Sequence, residues 1–298
     1  MSDAVKARVL LGVLCLAWGL TWPAMRIALV DLPPFTMRAT SAAVGTVALV
    51  VLAQLARRPV RIPAPATWLD IVVAAFFNII LFGLCTAFAQ LYESTGRVAI
   101  IVYTMPIWAA LLARVILHEL LTPVRVLALV LCCVGMAVLI YPLTRHGIPL
   151  GLLLALVAAV GWAFGTIYIK WRCINIEPFT IAVWQMVLTF VTMIVCVFVI
   201  EGSYHPWDAS WRSLAGVVFS GLFGSGLAYF LWFHIIRVMP ATTASLGALG
   251  SPVLGIVSSM ILLGEVPTTA DIIGYVLIFA ASVCALLQPT ALRKSAVG

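Results

Sequence analysis

Ten apolar runs, separated only by short breaks of proline, glycine and charge, decide what this chain can fold into. Each is about as long as the roughly 20 residues that an α-helix needs to cross a bilayer. The breaks place the runs near 8–29, 34–56, 67–91, 97–117, 123–142, 148–170, 177–200, 211–236, 241–263 and 269–288. With 64% of its residues hydrophobic, 9% charged and a mean hydropathy of +1.18, the chain has too little charge to cover a soluble domain. The expectation is an all-α integral membrane protein of ten transmembrane helices, with no soluble domain between them. The first run follows Lys6 and Arg8 as a signal peptide's would, but it ends in Leu20-Thr21-Trp22 without a small-residue cleavage pattern, and it reads as a retained helix.

An internal repeat divides the chain. A shift of 144 residues aligns Trp18 with Trp162, Arg26 with Lys170, Asp31 with Asn175, and Pro34-Phe35-Thr36 with Pro178-Phe179-Thr180. A shift of 146 aligns Pro106 with Pro252 and brings Leu117-His118-Glu119 onto Leu263-Gly264-Glu265. Two halves of five helices follow, 1–146 and 147–298. Because five is odd, the second half starts on the opposite side of the membrane from the first, the inverted arrangement of many secondary transporters.

With the N-terminus inside, Lys6, Arg8, Arg57, Arg58, Arg61, Arg114, Arg125, Lys170, Arg172, Arg237, Arg293 and Lys294 fall at inner ends and loops. Only Arg26, Arg38, Arg97, Arg145 and Arg212 fall outside, so both termini are expected in the cytoplasm. The net charge of +7 is thus a topology signal, and no clustered basic face offers itself to a nucleic acid.

The chemistry-bearing residues exclude several classes. The seven cysteines and the scattered histidines His118, His146, His205 and His234 have no metal-ligand or CxxC spacing, so no metal or cofactor is expected. No G-x-S-x-G, H-E-x-x-H or G-x-x-x-x-G-K-[ST] occurs, which argues against an intramembrane enzyme and against ATP drive within the chain. All ten acids lie at or near run ends, which disfavours an ion pump built on a midplane carboxylate; Glu119 and Glu265 are read as fixing helix ends. No lysine lies in mid-run, which weighs against a phosphorylated substrate.

Pro106 and Pro252 stand well inside their runs at equivalent places, where each frees a carbonyl near Val102 or Ala248. Either a packing kink or a hinge facing a cavity satisfies that geometry. Small residues at every fourth place (Thr243, Gly247, Ser251, Gly255, Ser259; Gly161, Gly165; Gly216, Ser220, Gly224) mark tight helix contacts or a ligand path. The candidate substrate path comprises Trp18, Asn78, Phe82, Tyr103, Trp162, Tyr229, Trp232 and Ser251: aromatic groups with a few hydroxyls and amides, suited to a neutral and partly apolar ligand. Asn78 and Gln185 are amides in a hydrocarbon setting and need partners.

The paired five-helix units, the tryptophan in each leading helix, the Pro-Phe-Thr at the start of each second helix and the Gly-Glu at 264–265 resemble the EamA-type members of the drug/metabolite transporter superfamily. Length and general pattern are similar to its bacterial YddG-type exporters of aromatic and other neutral amino acids. His118, where the second half has Gly264, is one departure. The resemblance implies ten helices around a central cavity and export from the cytoplasm across a bacterial inner membrane. It implies a small neutral metabolite as substrate and membrane lipid as surroundings, by alternating access without ATP. A multidrug or toxic-metabolite exporter is the alternative, and the oligomeric state stays open, a monomer included.

Overall fold

The computed structural model describes residues 3–61, 65–92, 98, 101–141, 150–174, 176–263 and 269–287. Among the expectations above, those on Arg97, Arg145, His146, Asn175, Gly264, Glu265, Arg293 and Lys294 lie outside the described residues. Everything regular in it is helical. The first half holds α1 (Asp3–Ala28), α2 (Pro34–Leu55), α3 (Ala66–Ala75), α4 (Phe82–Tyr92), α5 (Met105–Ile116) and α6 (Pro123–Ile140). The second holds α7 (Leu150–Trp171), α8 (Pro178–Cys196), α9 (Trp211–Phe219), α10 (Ala228–Val238), α11 (Ala241–Gly247), α12 (Gly250–Leu263) and α13 (Thr269–Leu287). Among the described residues seven helical stretches are long and apolar enough to cross a membrane, and Met105–Ile116, Pro123–Val138 and Ile272–Ala281 are shorter apolar helices.

In lipid no hydrophobic force drives helix against helix, so close backbone approach does the work. The stripes of small residues are where it happens. A Cβ on Gly165 would meet the Asn78 backbone nitrogen at 2.8 Å, and one on Gly216 would meet the Ala24 carbonyl at 2.5 Å. Glycine is the residue these crossings leave room for. Contacts between the halves come in pairs: α1 packs on α12 and on α9 and α10, while α7 packs on α5 and on α3 and α4. α2 and α8 lie antiparallel. Glu201, just past α8, accepts from the Phe35 and Thr36 nitrogens at 2.7 and 2.9 Å, and the Thr180 hydroxyl at the start of α8 donates to the Pro59 carbonyl beyond α2 at 2.7 Å. Each Pro-Phe-Thr therefore docks on the far end of the other half's second helix.

The regular hydrogen-bond ladder is interrupted in corresponding parts of the two halves. A π-helical stretch joins α3 to α4 (Phe76–Leu81), and another joins α9 to α10 (Ser220–Leu227). They have six and eight residues, and those two extra residues equal the growth of the repeat shift from 144 to 146. Turns at Tyr103-Thr104 and Ala248-Leu249 break the helix just ahead of Pro106 and Pro252. The prolines thus sit in the first turn of a fresh helix rather than inside a kinked one, the place that tolerates a missing N–H. The carbonyl that Pro252 strands at Ala248 accepts from the Ser251 nitrogen at 3.0 Å instead.

Charged groups fasten the helix ends. Glu119 accepts from the Ala241 nitrogen at 2.9 Å, starting α11, with Lys170 Nζ 3.7 Å away, so the reading of Glu119 as a helix-end residue matches its position. His118 has φ of +54°, the left-handed conformation glycine prefers. At the opposite end, Asp31 accepts from the Ser210 hydroxyl and nitrogen and from the Ser213 hydroxyl at 2.8 Å, joining the end of α1 to the start of α9. Those serine hydrogen bonds, Ser210's side chain first, hold the Asp31 carboxyl below its ordinary pKa.

Two outcomes follow. Gly216→Ala drives a methyl into the Ala24 carbonyl and lowers stability by about 1–3 kcal/mol, whereas Gly12→Ala, with open space at its Cβ, does not; thermal unfolding of the detergent-solubilised protein reads both. Asp31→Asn lowers the melting temperature at pH 7. A depressed carboxyl stabilises above its unfolded pKa and ceases to do so as pH falls through the folded value, so the gap between wild type and variant closes on acidification.

Candidate functional site

Between the halves lies a cavity with about 1190 Å³ of empty space, its open mouth included. Its walls come from the last turns of α1 (Thr21, Trp22, Met25), the first turns of α2 (Met37, Arg38, Ser41) and the far part of α8 (Met186, Thr189, Met193). They also come from the first π stretch and α4 (Ile79, Phe82, Thr86) and from the second π stretch (Ser220, Gly224, Ser225). These segments lie toward the end of the bundle where α1 finishes and α2 begins. The helix breaks contribute Tyr103, Pro106, Ala248 and Ser251.

An aromatic group forms one wall. Trp18 packs on Trp162, Tyr229 and Trp232 with ring centroids 6.1, 6.2 and 5.7 Å apart, and Trp162 on Trp232 at 4.7 Å. Trp22 faces Tyr103 at 5.9 Å. Two hydrogen bonds pin this wall, each reaching from one half into the π stretch of the other. The Trp18 indole donates to the Gly224 carbonyl at 3.2 Å, and the Tyr229 hydroxyl donates to the Asn78 carbonyl at 3.3 Å. Carbonyls in π turns leave the α ladder and are open to such donors.

Of the residues singled out in the sequence, Trp18, Phe82, Tyr103, Trp162, Tyr229, Ser251 and Pro106 line the cavity. Asn78, Trp232 and Pro252 stand outside its lining. Asn78 is fully buried and donates from Nδ2 to the Thr166 hydroxyl at 3.1 Å, where Gly165 packs on it, while its Oδ1 has no hydrogen-bond partner. Trp232 is fully buried behind Trp162 and backs the wall. Pro252 sits one residue beyond the lining Ser251. Gln185 is fully buried on α8 with neither amide atom hydrogen-bonded.

Arg38, which the sequence offers only as one of the outside cations, lines the cavity from the second turn of α2. Its guanidinium donates to the Thr86 hydroxyl at 3.1 Å and touches the Met25 sulfur at 4.0 Å, and its Nε is sealed from solvent without a partner. Thr86 already donates to the Phe82 carbonyl, so it offers a lone pair and no charge. The signal was present as Arg38, Ser41 and Gly45, a polar and small stripe at helical spacing whose last member touches the second π stretch at Gly221 and Gly226. Methionines 25, 37, 105, 186 and 193 fill out the apolar lining, a soft surface that adapts to ligand shape.

The opposite end of the bundle is closed. Ala113, Ile167 and Ala241 form a buried layer there. Around it, Lys170 donates to the Met239 carbonyl at 2.7 Å, and Arg125 bridges the Leu120 carbonyl and the Thr243 hydroxyl at 2.8 and 3.1 Å.

Comparisons with known proteins agree with this architecture. The chain is 25% identical to the uncharacterized transporter YoaV of Bacillus subtilis (strain 168), over 91% of this chain and 94% of that one. It is 27% identical to the uncharacterized transporter YvbV of the same organism, over 99% and 97% of the two chains. A solved crystal structure matches with a TM-score of 0.79 at 18% identity, covering 94% of this chain and 96% of that one, and has the same fold. The model of the EamA-like transporter family matches twice, at residues 6–141 and 149–287. With its membrane-spanning helices and central cavity, the chain belongs to the EamA-like transporter family.

Proposed function

We propose that this transporter exports neutral amino acids, aromatic ones among them, across a bacterial inner membrane by alternating access and without ATP. In this reading ten membrane spans form two inverted halves, 1–146 and 147–298, with both termini in the cytoplasm. The observation that carries it is the aromatic-walled cavity built from both halves and closed at one end by the Glu119, Lys170 and Arg125 contacts. Under the cytoplasmic-termini orientation the closed end is the inner one, so the structure corresponds to an outward-facing state. The helix breaks ahead of Pro106 and Pro252 are the hinges, because each already lacks a backbone hydrogen bond that bending would otherwise break. The antiparallel docking of α2 and α8 supports the inversion. Trp18, Phe82, Tyr103, Trp162, Tyr229 and Ser251 line the substrate path, and Asn78 and Trp232 hold that lining from behind.

Purified protein in liposomes loaded with labelled phenylalanine or leucine releases label faster than protein-free vesicles, with no ATP present. Release of a cationic dye but of neither amino acid would establish the multidrug reading instead. Within the wall, Trp22 has the aromatic face that a bound ring can join while being less buried than Trp162. Trp22→Ala raises the half-saturating phenylalanine concentration roughly three- to tenfold, the worth of one aromatic pair, and leaves alanine transport near wild type in the same assay.

A further inference from the structure

Resting on that reading, we infer that Arg38 is the anchor for the carboxylate of the transported ligand, so that the cavity selects organic acids with an apolar body and does not require an amino group. Arg38 is partly buried, with its Nε sealed from solvent, and a guanidinium drawn this far into a cavity is best matched by an opposite charge. Among the described residues it has none. Two acids at helix ends are engaged elsewhere: Glu201 accepts from the Phe35 nitrogen and from the nitrogen and hydroxyl of Thr36, and Asp31 from Ser210 and Ser213. What Arg38 has is one neutral acceptor, Thr86, one thioether, and an Nε with no partner. Guanidinium N–H groups suit a carboxylate placed in the cavity in two-point fashion.

The rest of the lining fits the other parts of such a ligand. Trp18, Trp22, Phe82, Tyr103 and Trp162 offer a ring-sized apolar surface. Ser220 and Ser245 line the same space with buried hydroxyls that have no hydrogen-bond partner. No lining residue is acidic, so an ammonium meets hydroxyls and ring faces but no counter-charge. A cation entering this cavity would meet Arg38 unshielded. The selectivity is therefore set by the anionic end of the ligand.

The test uses three matched solutes: L-phenylalanine, 3-phenylpropanoate, which lacks the amine, and phenethylamine, which lacks the carboxylate. Binding is read as the shift in melting temperature of the detergent-solubilised full chain, and flux in proteoliposomes. The expected result is that phenylalanine and phenylpropanoate bind and move while phenethylamine does neither. Arg38→Gln then weakens binding of both acids by roughly tenfold or more, the loss of a charge-assisted hydrogen bond, and Arg38→Lys retains part of it. Arg38 is partly exposed and makes no ion pair among the described residues, so Arg38→Gln melts near the wild-type temperature without ligand, which separates a lost anchor from a damaged fold. Transport of phenethylamine equal to that of the acids, or undiminished acid binding in Arg38→Gln, overturns the anchor and leaves the transport reading standing. Failure of all three solutes in folded wild-type protein overturns the aromatic-substrate reading and the anchor together.

Discussion

Inside a bilayer every backbone N–H and carbonyl must find its partner within the protein, and the arrangement of this molecule follows from where it relaxes that demand. A continuous α-helix meets it trivially. Among the described residues, besides the π turn Val197–Glu201 that ends α8, the ladder is interrupted at the π stretches Phe76–Leu81 and Ser220–Leu227 and at the breaks ahead of Pro106 and Pro252, and these four border the cavity. Irregular backbone is tolerated at membrane depth where it is buried in protein or lines such a space. The freed groups are then put to use. The Gly224 and Asn78 carbonyls take the indole of Trp18 and the phenol of Tyr229, each from the other half, so the same departures that open the cavity also orient its aromatic wall.

Close helix contact complements this. Thr21 presses on Gly224 while Gly165 accepts Asn78, so at each of these crossings one helix supplies a side chain and the other its absence. Thr21 and Gly165 are repeat equivalents at the shift of 144, and Asn78 and Gly224 at the shift of 146. The side chain thus comes from opposite partners in the two crossings. Complementary pairs of this kind keep both contacts tight without requiring the two halves to be identical in sequence.

Much of the scaffold was legible in the sequence, because its signals are local or repetitive: apolar length, the Pro-Phe-Thr starts, the paired prolines and the glycine stripes. The π stretches were not. Phe76–Leu81 contains neither glycine nor proline, and its extra turn width is stabilised by donors arriving from another helix, information that no local pattern carries. The sequence puts Arg38 near the start of the second run but carries no sign that a cavity reaches it there. Asn78 and Trp232 show the converse limit. Helical spacing shows which residues share a face, yet whether that face meets a ligand or a neighbouring helix depends on packing, and here both meet a neighbour.

Symmetry of scaffold and asymmetry of lining serve different ends. Under the transport reading proposed above, equivalent helix breaks and equivalent crossings would give the bundle comparable contacts to make and break on either side, as inverted repeats do in alternating-access carriers. A ligand has no such symmetry and needs its charged end recognised once. At a shift of 144, Arg38 corresponds to the fully buried Ala182, and Ser41 to Gln185. A second arginine at Ala182 would place a like charge in the same protein interior with nothing to neutralise it, at a desolvation cost a single ligand carboxylate does not offset. The cation therefore resides in one half only. Its position on the helix that docks against its own repeat partner puts the charge where the two halves meet.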